Sequence, residues 1–232
     1  SRRQRQMCIR DSTYTMEAMM LDGKALQSGT SHYLGQNFSS AFEIKYLDKD
    51  GQLKNPYQTS WGVSTRLIGA LIMAHGDQRG LKLPPRVAPY QVVIVPVAAH
   101  KEGVNEKAQE IATLLRNVGV RVMLDDRDQS PGWKFNEWEM KGVPVRLEIG
   151  PRDIENGQAM IARRDTHDKF AIKLDDLSTE IPALLDDIQK NMFKQSHDFL
   201  HSHIVTCHSL DEMKEALDNH NFVNCLLYTS PS

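Results

Sequence analysis

Gln91-Val-Val-Ile-Val95 is unbroken by any polar side chain after its first residue, and that continuity decides the fold class. A strand covered on both faces reads as a continuous apolar run, whereas a strand with one wet face alternates. Downstream, Val104, Ala108, Ile111, Ala112, Leu115 and Val118 recur at the spacing of one helical face. Gly119 ends that helix, because glycine takes the left-handed C-cap conformation without steric cost. Val120-Arg-Val-Met-Leu124 is predicted as the next strand and residues 134–141 as a second helix. Val143-Pro-Val-Arg-Leu-Glu-Ile149 is predicted as the third strand. Gln158-Ala-Met-Ile-Ala162 and Lys169-Phe-Ala-Ile-Lys173 are expected to pair as a hairpin around residues 165–168. Strand–helix–strand–helix–strand implies right-handed crossovers, and the hairpin makes the sheet mixed in direction. The expected class is α/β (α+β).

Upstream the rhythm differs. Leu83-Pro-Pro-Arg86, followed by Ala88-Pro89, cannot continue a helix and reads as a linker. Before it, Phe42-Glu-Ile-Lys-Tyr-Leu47 alternates as a strand, Asp48-Lys-Asp-Gly51 is a turn, and Tyr57-Gln-Thr-Ser-Trp-Gly-Val63 is expected to return against it. Residues 66–75 form a helix apolar nearly all round, hence expected to be buried. A hairpin feeding such a helix points to an antiparallel sheet with a helix packed on it. Beyond the linker domain, Ile181, Leu184, Leu185, Ile188, Met192 and Phe199 share one face of a long helix, and residues 210–217 form a shorter one. The expected organisation is residues 13–86, 87–190 and 191–224, the last too short for a core of its own. Residues 1–12 and 225–232 are expected to be translated adapter DNA, which would leave both flanking parts truncated.

Composition narrows the classes. Of 232 residues, 40% are hydrophobic and 25% charged, which excludes wholesale disorder. No apolar run approaches the ~18 residues of a membrane span, so no membrane partner is expected. A formal charge of −2 excludes a chain that coats nucleic acid by bulk charge, so a nucleic-acid partner must be met by a local patch. Cys8, Cys207 and Cys225 form neither a disulfide framework nor a CxxC site, so a reducing, cytoplasmic setting is expected.

Three clusters carry candidate chemistry. Gly62-Val-Ser-Thr-Arg66 opens the apolar helix with an arginine, against the helix dipole. Free N–H groups there make an anion site, and a guanidinium beside them suits a phosphate; the alternative is an arginine paired to a neighbouring carboxylate. Gln27-Ser-Gly-Thr-Ser-His32 gathers amide, hydroxyl and imidazole groups, either to read a small polar ligand or to cap the following stretch, Tyr33-Leu-Gly-Gln-Asn-Phe38, as a helix. Residues 125–153 interleave charges of both signs with Trp133, Phe135 and Trp138. Guanidinium, carboxylate and aromatic groups together suit unpaired bases; the alternative is a solvated charged face over two core tryptophans. His197-Asp-Phe-Leu-His201 imitates the zinc pair of HExxH, but with Asp for Glu and no third ligand it is set aside.

Residues 16–38, 60–77 and 131–153 resemble prolyl-tRNA synthetases of the archaeal/eukaryotic-like type, a resemblance covering essentially residues 13–224. It implies a class II ligase that joins proline to ATP as prolyl-adenylate, then passes the prolyl group to tRNA(Pro). Residues 62–66 resemble the third class II motif. By that resemblance Arg66 would be the catalytic clamp on the ATP phosphates, and Gln27, Thr30 and Ser64 would contact ATP, with Gln27 near Mg²⁺. His32, Trp61 and Gly62 would line the proline pocket. Glu139, Arg146 and Asp153 would read the two guanines shared by proline anticodons, with Lys134 and Lys169 as weaker contacts. The resemblance further implies a cytoplasmic homodimer, and zinc only in a C-terminal domain beyond this chain. The first two class II motifs would lie upstream of Thr13, so the chain alone is not expected to form adenylate. The alternative is a free-standing tRNA anticodon-binding module without catalysis, which has no use for residues 13–77. An unrelated nucleotide-binding α/β protein is disfavoured, because no GxGxxG follows Val95.

Overall fold

The computed structural model describes residues 12–225, so the expectation of adapter-derived ends falls almost wholly outside it. The chain divides into two compact units between Ala74 and His75. Among the described residues no helix is long and apolar enough to cross a membrane.

The first unit holds β1 (Ser12–Met19), β2 (Ala25–Gly35), α1 (Asn37–Ala41), β3 (Tyr46–Leu47), β4 (Leu53–Lys54), β5 (Gln58–Val63) and α2 (Arg66–His75). Its antiparallel sheet runs β1-β2-β5. This corrects three expectations. Residues 27–32 are not a helix-capping turn but the middle of β2, paired with β1 except at Ser28 and, from Gly29 on, with β5 as well. The stretch 42–47 is strand only at its last two residues. Its partner across the Asp48–Gly51 turn is β4, through Tyr46↔Lys54 and Leu47↔Leu53, and not β5. The reason lies at Asn55-Pro56. Pro56 has no N–H to extend a ladder. Asn55 Nδ2 instead donates to the Ser39 and Ile44 carbonyls at 2.9 and 3.0 Å, Gln36 Nε2 donates to the Asn55 carbonyl at 2.7 Å, and the chain turns away to meet β2. Helix α2 also departs from expectation: only Ala70 is buried, and Ile68 is 61% exposed.

The second unit is the α/β unit anticipated from residues 91–95. Its elements are β6 (Val92–Pro96), α3 (Val104–Asn117), β7 (Val122–Leu124), α4 (Pro131–Met140), β8 (Val145–Ile149), α5 (Pro151–Glu155), β9 (Gln158–Arg163), β10 (Lys169–Lys173) and α6 (Leu177–Ser202). The sheet order is β10-β9-β8-β6-β7, with β7, β6 and β8 parallel and β9 and β10 antiparallel, so it is mixed. Both faces of β6 are covered. Val92 and Ile94 join Leu115, Leu147, Ile161, Ile181 and Ile188 in the main core. Val93 and Val95 pack with Trp138 and Val143 on the other face. Burial on both sides is the physical content of the unbroken apolar run. Helix α6 continues through residue 190, where a domain boundary was expected, into a parallel pair formed by β11 (Ile204–Cys207) and β12 (Phe222–Cys225) around α7 (Leu210–Asp218).

One buried ion cluster fastens α4 to the sheet. Asp125 is 1% exposed; Arg127 grips both its oxygens at 2.9 and 2.7 Å, and Trp138 Nε1 donates to it at 2.6 Å. The Arg127 hydrogen bonds first, then that of Trp138, hold its carboxyl down at about 2. A depressed carboxyl stabilises the fold above its unfolded value near 4 and loses that contribution as pH falls through the folded value. The shift corresponds to roughly 2 kcal/mol. Urea midpoints should therefore fall between pH 4 and pH 2, and Asp125→Asn, less stable at neutral pH, should show a visibly shallower fall across that window.

Candidate functional site

The first unit forms a hollow of about 530 Å³ walled by Gln27, Ser28, Gly29, Thr30, Gly62, Val63, Ser64 and Arg66. Five of these are residues singled out from sequence, and a β-bulge explains their convergence. Gly29 pairs with Met16 but Gln27 pairs with Glu17, so Ser28 is an extra residue in β2. Strand side chains alternate faces, so a regular strand would send Gln27 and Thr30 to opposite sides. The extra residue brings Gln27 round to the side of Thr30. Thr30 in turn pairs with Gly62 on β5.

Arg66 is the first residue of α2. Its Nη1 reaches back to the Gln27 carbonyl at 3.4 Å, and its main-chain N–H approaches Ser64 Oγ at 3.3 Å. The guanidinium is exposed and forms no carboxylate ion pair among the salt bridges of the described residues. Its placement beside the first turn of a helix is that of an anion-binding group.

The proposed proline pocket is only partly assembled. His32 pairs with Ser60, its Nδ1 is 3.0 Å from Thr13 Oγ1, and it shares the sheet face of Thr30 and Gly62. Trp61 pairs with Ser31, so its indole lies on the opposite face and is 77% exposed. Of the three residues expected to line the proline pocket, strand alternation therefore puts the His32 and Trp61 side chains on opposite faces. Neither residue walls the hollow.

The second unit has a hollow of about 510 Å³ whose walls include Glu139, Arg146 and Lys169. Pairing sets Val93, Arg146, Ala162 and Lys169 in one row across β6, β8, β9 and β10. Arg146 is 4.3 Å from the Phe135 ring centre, donates from Nε to Glu148 Oε1 at 3.1 Å, and its Nη2 stands 3.0 Å from the same oxygen as an ion pair. Lys169 Nζ bonds Glu148 Oε2 at 2.7 Å. Glu148, nearly buried, thus holds both cations. Sequence reasoning assigned it no role, although two charges at alternate positions of an apolar strand, Arg146 and Glu148, mark one shared face. Arg79, Arg163, Arg164 and His167 also line this hollow and were not anticipated.

Two candidates fall elsewhere. Lys134 is 2% exposed, and its ammonium bonds the Asp125 carbonyl at 3.0 Å. It faces inward because it follows the α4 turn onto the Asp125 cluster, so it is a structural cation and not a surface contact. Asp153 follows the end of β8 within the first turn of α5, where its Oδ2 accepts from the Gly150 N–H at 2.9 Å. Among the described residues no group of three His, Cys, Asp or Glu side chains is placed to hold a metal ion; the His197 and His201 rings lie 4.1 Å apart between centres, tilted by 41°.

Comparison with known proteins follows this division. A family model described as an anticodon binding domain matches residues 91–184. A proline–tRNA ligase of Alkaliphilus oremlandii is 61% identical over 208 residues, covering 89% of this chain and 43% of that protein. One from Clostridium novyi is 58% identical over 207 residues, with the same shares. The crystal structure of prolyl-tRNA synthetase from Cryptosporidium parvum complexed with L-proline and AMP superimposes with a TM-score of 0.88 at 39% identity, covering 94% of this chain and 48% of that one. The chain spans less than half the length of the relatives it matches.

Proposed function

From its kinship with the proline–tRNA ligases over about nine-tenths of its length, we propose that this chain is the part of such a ligase that grips ATP with its first unit and reads the anticodon of tRNA(Pro) with its second. The observation that carries the reading is the bulged β2. It gathers Gln27, Thr30, Gly62, Ser64 and Arg66 around one hollow beside a helix N-terminus. In the full ligase, the carboxylate of L-proline attacks the α-phosphate of ATP and pyrophosphate leaves; a ribose hydroxyl at the tRNA 3′ end then attacks the prolyl carbonyl and AMP leaves. Arg66 balances charge on the departing phosphates, and Thr30 and Ser64 hydroxyls orient the nucleotide. His32 lines the proline side of the same sheet face, beside the backbone of Gly62; Trp61 bounds the site only from the far face.

Gln27 and Glu17, paired across β1 and β2, supply one amide and one carboxylate. That set suits Mg²⁺, which binds through one or two carboxylates and completes its shell with phosphate oxygens and water. The ion neutralises phosphate charge when bound. No zinc role is assigned to the described residues.

In the second unit, Arg146 addresses guanine acceptors and Glu139 guanine donors, while Lys169 offers charge to a neighbouring phosphate. The same reading includes Asp153 as a contact at the α5 turn, a domain division at residues 86/87 and 190/191, a homodimer, and a cytoplasmic location.

The direct test is proline-dependent exchange of pyrophosphate into ATP by a full-length ligase carrying this sequence. Exchange should need proline and fail with alanine at equal concentration. Exchange indifferent to the amino acid would end the reading.

A further inference from the structure

Glu139 stands at the end of α4, and its fixing comes from outside that helix. Arg164, 5% exposed, donates from Nε to the Glu139 main-chain carbonyl at 3.0 Å. Its two terminal nitrogens bond the two oxygens of Asp77 at 2.9 and 2.7 Å. Arg164 holds the Asp77 carboxyl well below the usual carboxylate range, and Lys82 Nζ adds a contact at 3.1 Å. The Arg164 main-chain N–H bonds the Pro144 carbonyl at 2.9 Å, so both ends of the residue are tied to the α4–β8 corner.

From Asp77 the chain lies across that corner as a strap. Leu81 N–H meets the Met140 carbonyl at 2.9 Å and Leu83 N–H the Gly142 carbonyl at 3.1 Å. The two backbones touch. A Cβ on Gly80 would lie 2.5 Å from the Met140 backbone, and one on Gly142 would lie 2.6 Å from that of Leu81. Both glycines also have positive φ, so neither position tolerates a side chain. From the strap, Arg79 Nη1 reaches Glu139 Oε1 at 3.1 Å, and His167 Nδ1 approaches the same oxygen at 3.6 Å.

An exposed pair such as Arg79–Glu139 contributes little alone. A buried, bidentate Arg–Asp fork with a third bond to the main chain fixes geometry instead, because the guanidinium is planar and its donors are rigidly disposed. A carboxylate offers about four acceptor positions. Holding Oε1 still leaves capacity for the two donors, N1–H and N2–H, of a guanine Watson–Crick edge.

We propose that Arg164, anchored by Asp77, is a positioning residue for base reading by Glu139. It sets the direction of that carboxylate through the Glu139 main chain, so that guanine is distinguished from a base lacking the second donor. The proposal rests on the assignment of Glu139 to base reading made above.

The test titrates the whole 232-residue chain with an RNA hairpin carrying two loop guanines, and with hairpins bearing inosine at each guanine in turn. Inosine keeps N1–H and lacks the 2-amino group. The unsubstituted chain should prefer guanine by about tenfold at one position, the size of one well-made base contact. Arg164→Lys and Asp77→Asn should each shrink that preference below about threefold, through weaker binding of the guanine hairpin. Arg79→Ala, at an exposed side chain that does not endanger the fold, should shrink it in part. Thermal midpoints are measured alongside. A lower midpoint with the guanine/inosine ratio intact in Arg164→Lys and Asp77→Asn would make the pair merely structural and overturn the proposal. Glu139→Gln separates the two failures. If it keeps the preference, the base-reading assignment falls; if it loses the preference while Arg164→Lys keeps it, only the positioning role falls.

Discussion

Replacing Arg66 by alanine in the full-length ligase should cut proline-dependent pyrophosphate exchange by about 10²–10³-fold, the usual cost of removing one preorganised charge-stabilising group. The loss should appear in kcat/KM for ATP, because Arg66 meets the phosphates both on binding and as charge develops. The expectation follows from where the side chain stands. It projects from the first residue of α2, and among the described residues its guanidinium makes one long hydrogen bond, 3.4 Å to the Gln27 carbonyl. A guanidinium committed to structure would be buried and paired, as Arg164 is. Arg66 has instead been left open to a ligand. Arg66→Lys should recover only part of the lost rate, since an ammonium cannot grip two phosphate oxygens as a fork. Hairpin binding by the second unit should be unchanged. A rate within threefold of the parent enzyme would show that another group carries the phosphates.

How much of this was legible in sequence depends on how local each determinant is. The βαβ pattern of residues 91–149 and the hairpin of 158–173 were legible because their signals, apolar continuity and helical spacing, are contained in each segment. The partner of β5 was not, because it depends on Pro56 ending the β4 ladder and on Asn55 clamping the corner, contacts that span up to 19 residues. The exposure of α2 was misread for a related reason. Apolar side chains all round a helix state a capacity for burial, and burial itself needs partners that the helix does not encode. In the site, Arg66 was legible from the conflict between its charge and the helix dipole. The bulge at Ser28 left no mark, since a run of small polar residues fits a turn, a cap or a strand equally well. Nor could Arg164 be found: its partner Asp77 lies 87 residues away. Lys134 is the converse case, a charge that family resemblance offered for RNA and that packing places in the interior, on the Asp125 carbonyl.

Arg146→Ala should weaken binding of the guanine-bearing hairpin by about 10- to 100-fold, and impair tRNA charging correspondingly, while leaving pyrophosphate exchange intact. Arg146 lies in a row of paired residues, is 19% exposed, and rests on the Phe135 ring, so its plane is fixed before any ligand arrives. Glu148 accepts from Nε at 3.1 Å and stands 3.0 Å from Nη2 as an ion pair, which orients the fork and leaves the terminal donors for the hollow. A guanidinium so held matches the O6 and N7 acceptors of guanine, and the preorganisation spares the rotamer entropy that a free arginine would lose on binding. Two alternatives to base reading give different numbers. Were Arg146 a phosphate contact, its loss would lower the salt dependence of binding by about one unit of slope and weaken all hairpins alike. Were it a structural cation for Glu148, Glu148→Gln combined with Arg146→Ala would restore the affinity that Arg146→Ala loses, because the nearly buried carboxylate, left with Lys169 alone, would no longer lack its second cation. Base reading requires an unchanged salt slope, no rescue in the double variant, and a loss confined to one guanine. Equal losses in exchange and in charging would defeat the division of labour between the two units.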